Sequence, residues 1–264
     1  MKGVPLAEVV EYLDDYLSIG EVPDESTAVN GLQVENGGIV GSLVAAVDAS
    51  QASIDGVVDG ARSAEGIAPP LLLVHHGLFW DGNRPVTGRR YRRLNALLSA
   101  DVAVYSAHIP LDLHPDVGNN VVLAERLGLE VEGRFGDYRG IALGVWGHVP
   151  HGLENREALA VELGRVLGTG PAKLIPGGPE RASRIGIITG GAASMLKDAQ
   201  AAGLDTFVTG EGAHHTYFDA MEADINLLLG GHYATESLGV QALASHLADH
   251  FDLPWEFHDH PTGL

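Results

Sequence analysis

The chain contains no cysteine, only three lysines (Lys2, Lys173 and Lys197) and no long apolar run, and each shortage removes a class of explanation. Without cysteine there are no disulfides and no thiolate chemistry, so any metal must be bound through nitrogen and oxygen. No apolar stretch reaches the ~20 residues of a membrane span, and no basic segment followed by an apolar core opens the chain, so the expectation is a soluble, cytoplasmic protein. The scarcity of lysine belongs to a wider imbalance: 35 acidic residues stand against 16 basic ones, a net charge of −19. Such a surface repels phosphate backbones and anionic lipid, which argues against general nucleic-acid binding and against a membrane partner. Acid-rich, lysine-poor composition resembles that of proteins from salt-loving organisms, in which salt screens the self-repulsion.

What is present is a core large enough for an α/β protein. The chain has 264 residues, 45% hydrophobic, with a mean hydropathy of +0.07. Leu6, Val9, Val10, Leu13 and Leu17 follow helical spacing behind Pro5 and predict an opening amphipathic helix. The run 40–50 ends at Asp48 and reads as a first buried strand, and 51–64 as a helix. In PPLLLVHHGLFW (69–80) the prolines bar a helix, Leu71 to Val74 suit a buried parallel strand, and Gly77 marks the turn beyond. His75 and His76 therefore stand at the carboxyl end of a core strand, the edge of an open α/β sheet where ligands collect. They read either as a pair of metal ligands or as one core histidine beside a solvated neighbour.

Further clusters repeat the theme. A third strand from 102 leads into a proline-stiffened loop holding His108, Asp112, His114 and Asp116, and 119–130 is helical. From about 131 the pattern alternates and becomes glycine-rich, as antiparallel strands do. Helix 155–168 follows, then strand, Gly-Gly turn and helix over 182–203. A strand at 205 leads to Glu211, His214 and His215, and one at 225 leads to His232 and a helix carrying Glu236. Four residues apart on a helix, His232 and Glu236 share a face and suit one metal site. The recurrence of strand, acid and histidine predicts two similar α/β lobes facing each other across a cleft: 1–130, 131–225, and a C-terminal strand and helix, 226–264, returning to complete the site. Arg89, Arg90, Arg92 and Arg93 put four arginines into five residues. They are either a solvated helix face paired with local acids or the receiver of a substrate phosphate.

HHGLFW (75–80), AHIPLDLHPDVGNN (107–120), TGEGAHH (209–215) and GGHYATES (230–237), with NGLQVE (30–35) before them, resemble the Nif-three-like family, whose members are labelled GTP cyclohydrolase type 2 homologues. The resemblance spans nearly the whole chain in the family's order. It implies a two-lobed α/β protomer, a toroidal homohexamer and a dinuclear centre of zinc, iron or manganese. Carried over position by position, the ligands are His75, His76, Asp112, His232 and Glu236, and all five positions match. His108, Glu211 and His215 are then candidates for supporting the ligands or moving protons. The function implied is a metal-dependent hydrolase of a nucleotide or related heterocycle; the alternatives are a non-catalytic storage, delivery or scaffold assembly, and a regulatory partner protein. In analytical ultracentrifugation a six-chain species is expected in molar salt and a weaker one at low salt, where the charge loses its screening. A stable monomer in molar salt contradicts the assembly.

Overall fold

The structure, a computed structural model, describes residues 3–63 and 66–264. It is an α/β fold that divides into two compact units, residues 1–111 with 240–260, and 112–239 with 261–264. The chain leaves the first unit inside the short helix Ile109–Leu113 and re-enters it inside the long helix His232–Phe251.

The first unit is built on a five-stranded sheet in the order Trp255–Phe257, Ser42–Asp48, Pro70–His76, Ala103–Ser106, Gly31–Val34. The first four run parallel and the last is antiparallel to its neighbour. Buried on both faces, a central parallel strand reads as an unbroken apolar run rather than an alternating one, and Leu71, Leu72, Leu73 and Val74 are all at most 2% exposed. Leu72 and Val74 pack with Val44, Ala46 and Val104 against Ile54 and Val57 of helix Gln51–Ser63 and Leu97 of helix Gly88–Ser99. The helix expected over 51–64 thus forms to Ser63, residue 64 lying outside the described residues. The opening helix is Leu6–Tyr16; from it Asp14 accepts a hydrogen bond from the hydroxyl of Tyr105 at 2.7 Å.

The second unit carries a six-stranded sheet in the order Gly133–Tyr138, Ile141–His148, Arg184–Ile187, Thr206–Thr209, Asn226–Leu229, Lys173–Pro176. Its middle three strands are parallel and the flanking ones antiparallel. The glycine-rich alternation after residue 131 becomes the hairpin Gly133–Tyr138 and Ile141–His148, as expected.

The units do not follow the segments expected from composition. Helix Asn119–Arg126 packs on strands Ile141–His148 and Arg184–Ile187 and so joins the second unit, which moves the crossing back from 130 to 111. Strand Asn226–Leu229 is interior to the second sheet rather than the start of a separate returning segment. Strands Lys173–Pro176 and Trp255–Phe257 are short sheet-edge additions that periodicity did not signal. Among the described residues no helix is long and apolar enough to cross a membrane.

The segment between the opening helix and the first sheet is what fixes the site edge. Asp24 accepts from the ring of His108 at 2.9 Å, from the backbone N–H of Ile109 at 3.1 Å and from the Asn30 amide at 2.8 Å. Asn30 in turn accepts from the backbone of His108 at 2.8 Å. Gln33 donates to the carbonyls of Ala28 and Val29 at 2.9 Å and accepts from the N–H of Leu78 at 2.7 Å. A side chain at Gly77 would run into the Gln33 amide and disturb the hydrogen bonds by which it joins the two loops.

Burial alone would raise the Asp24 carboxyl, but the hydrogen bond and charge of His108, with bonds from Asn30 and the N–H of Glu25, outweigh it and hold the pKa at about 2, against an ordinary 3.8. A depressed folded pKa stabilises the protein above the unfolded value, and that contribution is lost as pH falls from about 4 to about 2. Asp24→Asn is therefore expected to cost on the order of 2 kcal/mol at pH 7 and about half of that at pH 3, read by urea unfolding at both values. An equal loss at both would remove the carboxylate from this role.

Candidate metal centre

In the first unit three imidazoles gather at the carboxyl edge of the sheet. Strand Pro70–His76 carries His75, fully buried, and His76, half-buried, while His108 follows strand Ala103–Ser106. Their ring centroids lie 4.8 Å (His75 to His76), 5.0 Å (His75 to His108) and 5.7 Å (His76 to His108) apart. Each ring is oriented through one nitrogen. Nδ1 of His75 donates to the carbonyl of Ala107 at 2.9 Å, Nδ1 of His76 to Asp48 at 2.9 Å, and Nδ1 of His108 to Asp24. An oxygen acceptor at Nδ1 fixes the proton there and turns Nε2, the nitrogen that could coordinate an ion, away from the anchor. One ligand atom from each ring falls within 4.8 Å of the other two. Both rings are thus held by oxygen at the same edge, His75 buried and His76 partly exposed.

In the second unit His232 opens the long helix, with Nδ1 donating to Glu211 Oε1 at 2.8 Å and Nε2 paired with Glu236 Oε2 at 3.0 Å. Residues i and i+4 of a helix share a face, as expected. Glu236 is 3% exposed. Hydrogen bonding to Glu236 is the largest influence on His232, and with the Glu236 charge and Glu211 it overcomes burial and lifts the ring to about 9. The Gly-Gly turn is part of the same construction. Gly190, at φ +68°, donates its N–H to Thr235 at 3.0 Å, and a side chain there would run into the Glu236 carboxylate. The turn can therefore pass this close to the glutamate only because residue 190 has no side chain.

Asp112 sits in the short helix Ile109–Leu113, a helix where a loop was expected, and is 5% exposed. Oδ1 accepts from Asn119 at 2.8 Å and from the Thr189 hydroxyl at 3.4 Å. Asn119 is itself held by the N–H of Gly239 at 2.6 Å. Next to it, Asn120 donates to the carbonyls of Asp112 and Leu143 and accepts from Thr189. Of the neighbouring cluster, His114 accepts from the backbone of Asp116 and Val117 and closes a turn, and Asp116 is exposed.

The remaining candidates separate. Glu211 bonds directly to His232, and with His215 it lines a cavity of about 360 Å³ walled by small residues of 191–194 and 212–216. His215 is 73% exposed and 4.0 Å from Asp219; His214 is exposed against Phe218. The arginines do not act as one strip. Arg90 is locked to Asp81 at 2.7 Å, to the carbonyls of Gly82 and Arg84, and over the Phe79 ring. Arg89 and Arg92 are exposed, and Arg93 is half-buried. Burial, then the charge of Arg89, lowers the Arg93 pKa.

Sequence reading overlooked Asp24, Asn30, Gln33, Asn119, Asn120, Thr189 and Thr235 as site supports. NGLQVE and the NN pair were visible as motif letters, but their hydrogen bonds span separations of up to 120 residues, which periodicity does not encode.

The donors are imidazole and carboxylate only, the types that suit zinc, iron or manganese, and the oriented rings fit such an ion. A relative from Deinococcus radiodurans, called a GTP cyclohydrolase 1 type 2 homolog, is 39% identical over 97% of this chain and 94% of its own length. One from Halobacterium salinarum with the same name is also 39% identical, over 98% and 99%. The crystal structure of TTHA1606 from Thermus thermophilus superposes with a TM-score of 0.86 at 36% identity, covering 99% of this chain and 100% of that one. The sequence model of Duf34/NIF3 (NGG1p interacting factor 3) matches residues 4–262, and the chain belongs to that family.

Proposed function

We propose that the protein binds two divalent ions through His75, His76, Asp112, His232 and Glu236, and uses them to hydrolyse a nucleotide or related heterocycle. The observation that carries the metal reading is the common orientation of the rings, each with Nδ1 given to an oxygen. This imidazole-to-oxygen support is how metal-binding histidines are positioned, and losing it typically costs about 10–100-fold in affinity. The homologues' name, GTP cyclohydrolase 1 type 2 homolog, supports the substrate class.

Bound ions would supply a hydroxide at neutral pH and polarise the bond it attacks. The chain's own residues would do the rest. Asn119 and Thr189 both bond Oδ1 of Asp112 and would hold this carboxylate in place as one of the ligands. Glu236, buried and flanked by Gly190, is the carboxylate proposed to bridge. His108, anchored to Asp24 through Nδ1, would take and return a proton at Nε2. Glu211 would orient His232, and His215, across the same cavity, would exchange protons with solvent. The assembly proposed is a homohexameric ring.

Purified protein is expected to carry close to two zinc, iron or manganese ions per chain by elemental analysis, and Glu236→Ala to lose both. Less than one ion after metal supplementation would overturn the assignment, and loss of only one in the variant would remove the bridge.

Incubation of metal-loaded protein with GTP and a panel of nucleotides, phosphoesters and cyclic amides, followed by mass spectrometry, is expected to show turnover that Asp112→Ala abolishes. Two bound ions with no turnover of any compound would instead favour storage or scaffolding.

A further inference from the structure

In a chain with 35 acidic and 16 basic residues, an arginine without a carboxylate partner needs a reason. Arg93 is one. Its Nε is buried and meets no acceptor among the described residues, and none of them forms an ion pair with its guanidinium. Leaving a buried donor unmade costs the desolvation of that group, more so when it is charged. The carboxylates whose charges act on Arg93 are Asp48 and Asp81, and both are engaged: Asp48 with His76 at 2.9 Å, Asp81 with Arg90 at 2.7 Å. Arg93 is thus spare positive charge beside the carboxylate that orients a proposed metal ligand.

A second donor is unused at the same edge. Nε1 of Trp80 is buried without an acceptor among the described residues. The Trp80 ring stands edge-on to His108 at 4.9 Å and to His76 at 6.0 Å between centroids, so the indole belongs to the rim of the histidine cluster. Asp81, adjacent in sequence to Trp80, ties that rim through Arg90 to the helix that bears Arg93. The same helix starts at Thr87 without a side-chain cap and has no acidic residue in its first turn, leaving its positive end uncompensated. Arg90 shares a buried Nε without an acceptor, but both its Nη atoms are spent on Asp81 and the carbonyls of Gly82 and Arg84, and Arg89 and Arg92 face solvent.

We infer that Arg93 and Trp80 Nε1 form an anion subsite beside His76 that takes the phosphate of a small phosphomonoester. A guanidinium and an indole N–H supply a fork and a single donor to tetrahedral oxygens, and fixed donors of this kind select phosphate over a neutral group. The subsite rests on the hydrolase reading for its purpose, since it would hold the far end of a substrate whose reacting atom lies at the ions. It singles out Arg93 from the four arginines, and it adds Trp80.

The test is calorimetric titration of metal-loaded protein with inorganic phosphate, GMP and guanosine, alongside tryptophan emission. Phosphate and GMP are expected to bind and to change the emission, guanosine to bind far more weakly, and GMP binding tighter than phosphate would mark the nucleotide as the source of the anion. Arg93→Gln is expected to weaken GMP roughly tenfold or more, the loss of a charged hydrogen bond, and Trp80→Phe by roughly two- to tenfold with loss of the emission change. Arg89→Gln, on the same helix, should shift affinity less than about threefold. Arg93→Lys, which keeps charge but not the fork, should fall between wild type and Gln. Unchanged affinity in Arg93→Gln, which would mean that the ions or a rotated Arg93–Asp48 pair account for everything, overturns the inference. So does equal loss in Arg89→Gln, the mark of a diffuse positive field. If the protein loads no metal yet still binds phosphate through Arg93, the metal reading fails and the subsite stands; if it loads two ions and binds no phosphate, the reverse holds.

Discussion

A histidine offers a metal only the nitrogen that its other nitrogen's hydrogen bond leaves over, and the described fold is arranged around that constraint. His75 leans on a backbone carbonyl, His76 on Asp48, His108 on Asp24 and His232 on Glu211. These anchors need rigid platforms, and the chain supplies the ends of parallel strands and the first turn of a long helix. Apolar burial holds those platforms: Leu71 to Val74 pin one edge, and the interior strands Thr206–Thr209 and Asn226–Leu229 pin the other. The polar groups at the edges then orient side chains rather than hold the fold together.

The same economy explains residues that bear no chemistry themselves. Asn119 and Asn120 are fully buried, and their amides fasten Asp112, Thr189 and Gly239 to one another. Buried amides with every partner in place are rigid, and one missing partner is expensive. Gly77 and Gly190 serve by having no side chain: one lets Gln33 reach the histidine loop, the other lets Glu236 approach the turn. Support of this kind reaches the candidate ligands through several independent segments, so their geometry does not depend on any one loop.

Much of this was legible in the sequence, for identifiable reasons. Core strands and amphipathic helices declare themselves through period and length, so strand Pro70–His76 and helix His232–Phe251 appear where the pattern put them. The placement of histidines at strand ends followed directly, as did the shared face of His232 and Glu236. Short edge strands lack a period, and the crossing at residue 111 depends on which sheet helix Asn119–Arg126 packs against, a long-range choice. For the same reason the arginines looked alike in sequence, and only the structure separates Arg90, bound to its own loop, from Arg93, which is not.

The orientation of the histidines is the claim on which the functional account turns, and anomalous diffraction from zinc-loaded crystals tests it most directly. The account predicts zinc about 2.0–2.1 Å from Nε2 of His75, His76 and His232, with every Nδ1 still on its oxygen. Zinc bound at any Nδ1, or ordered zinc only at sites remote from these three rings, would contradict it.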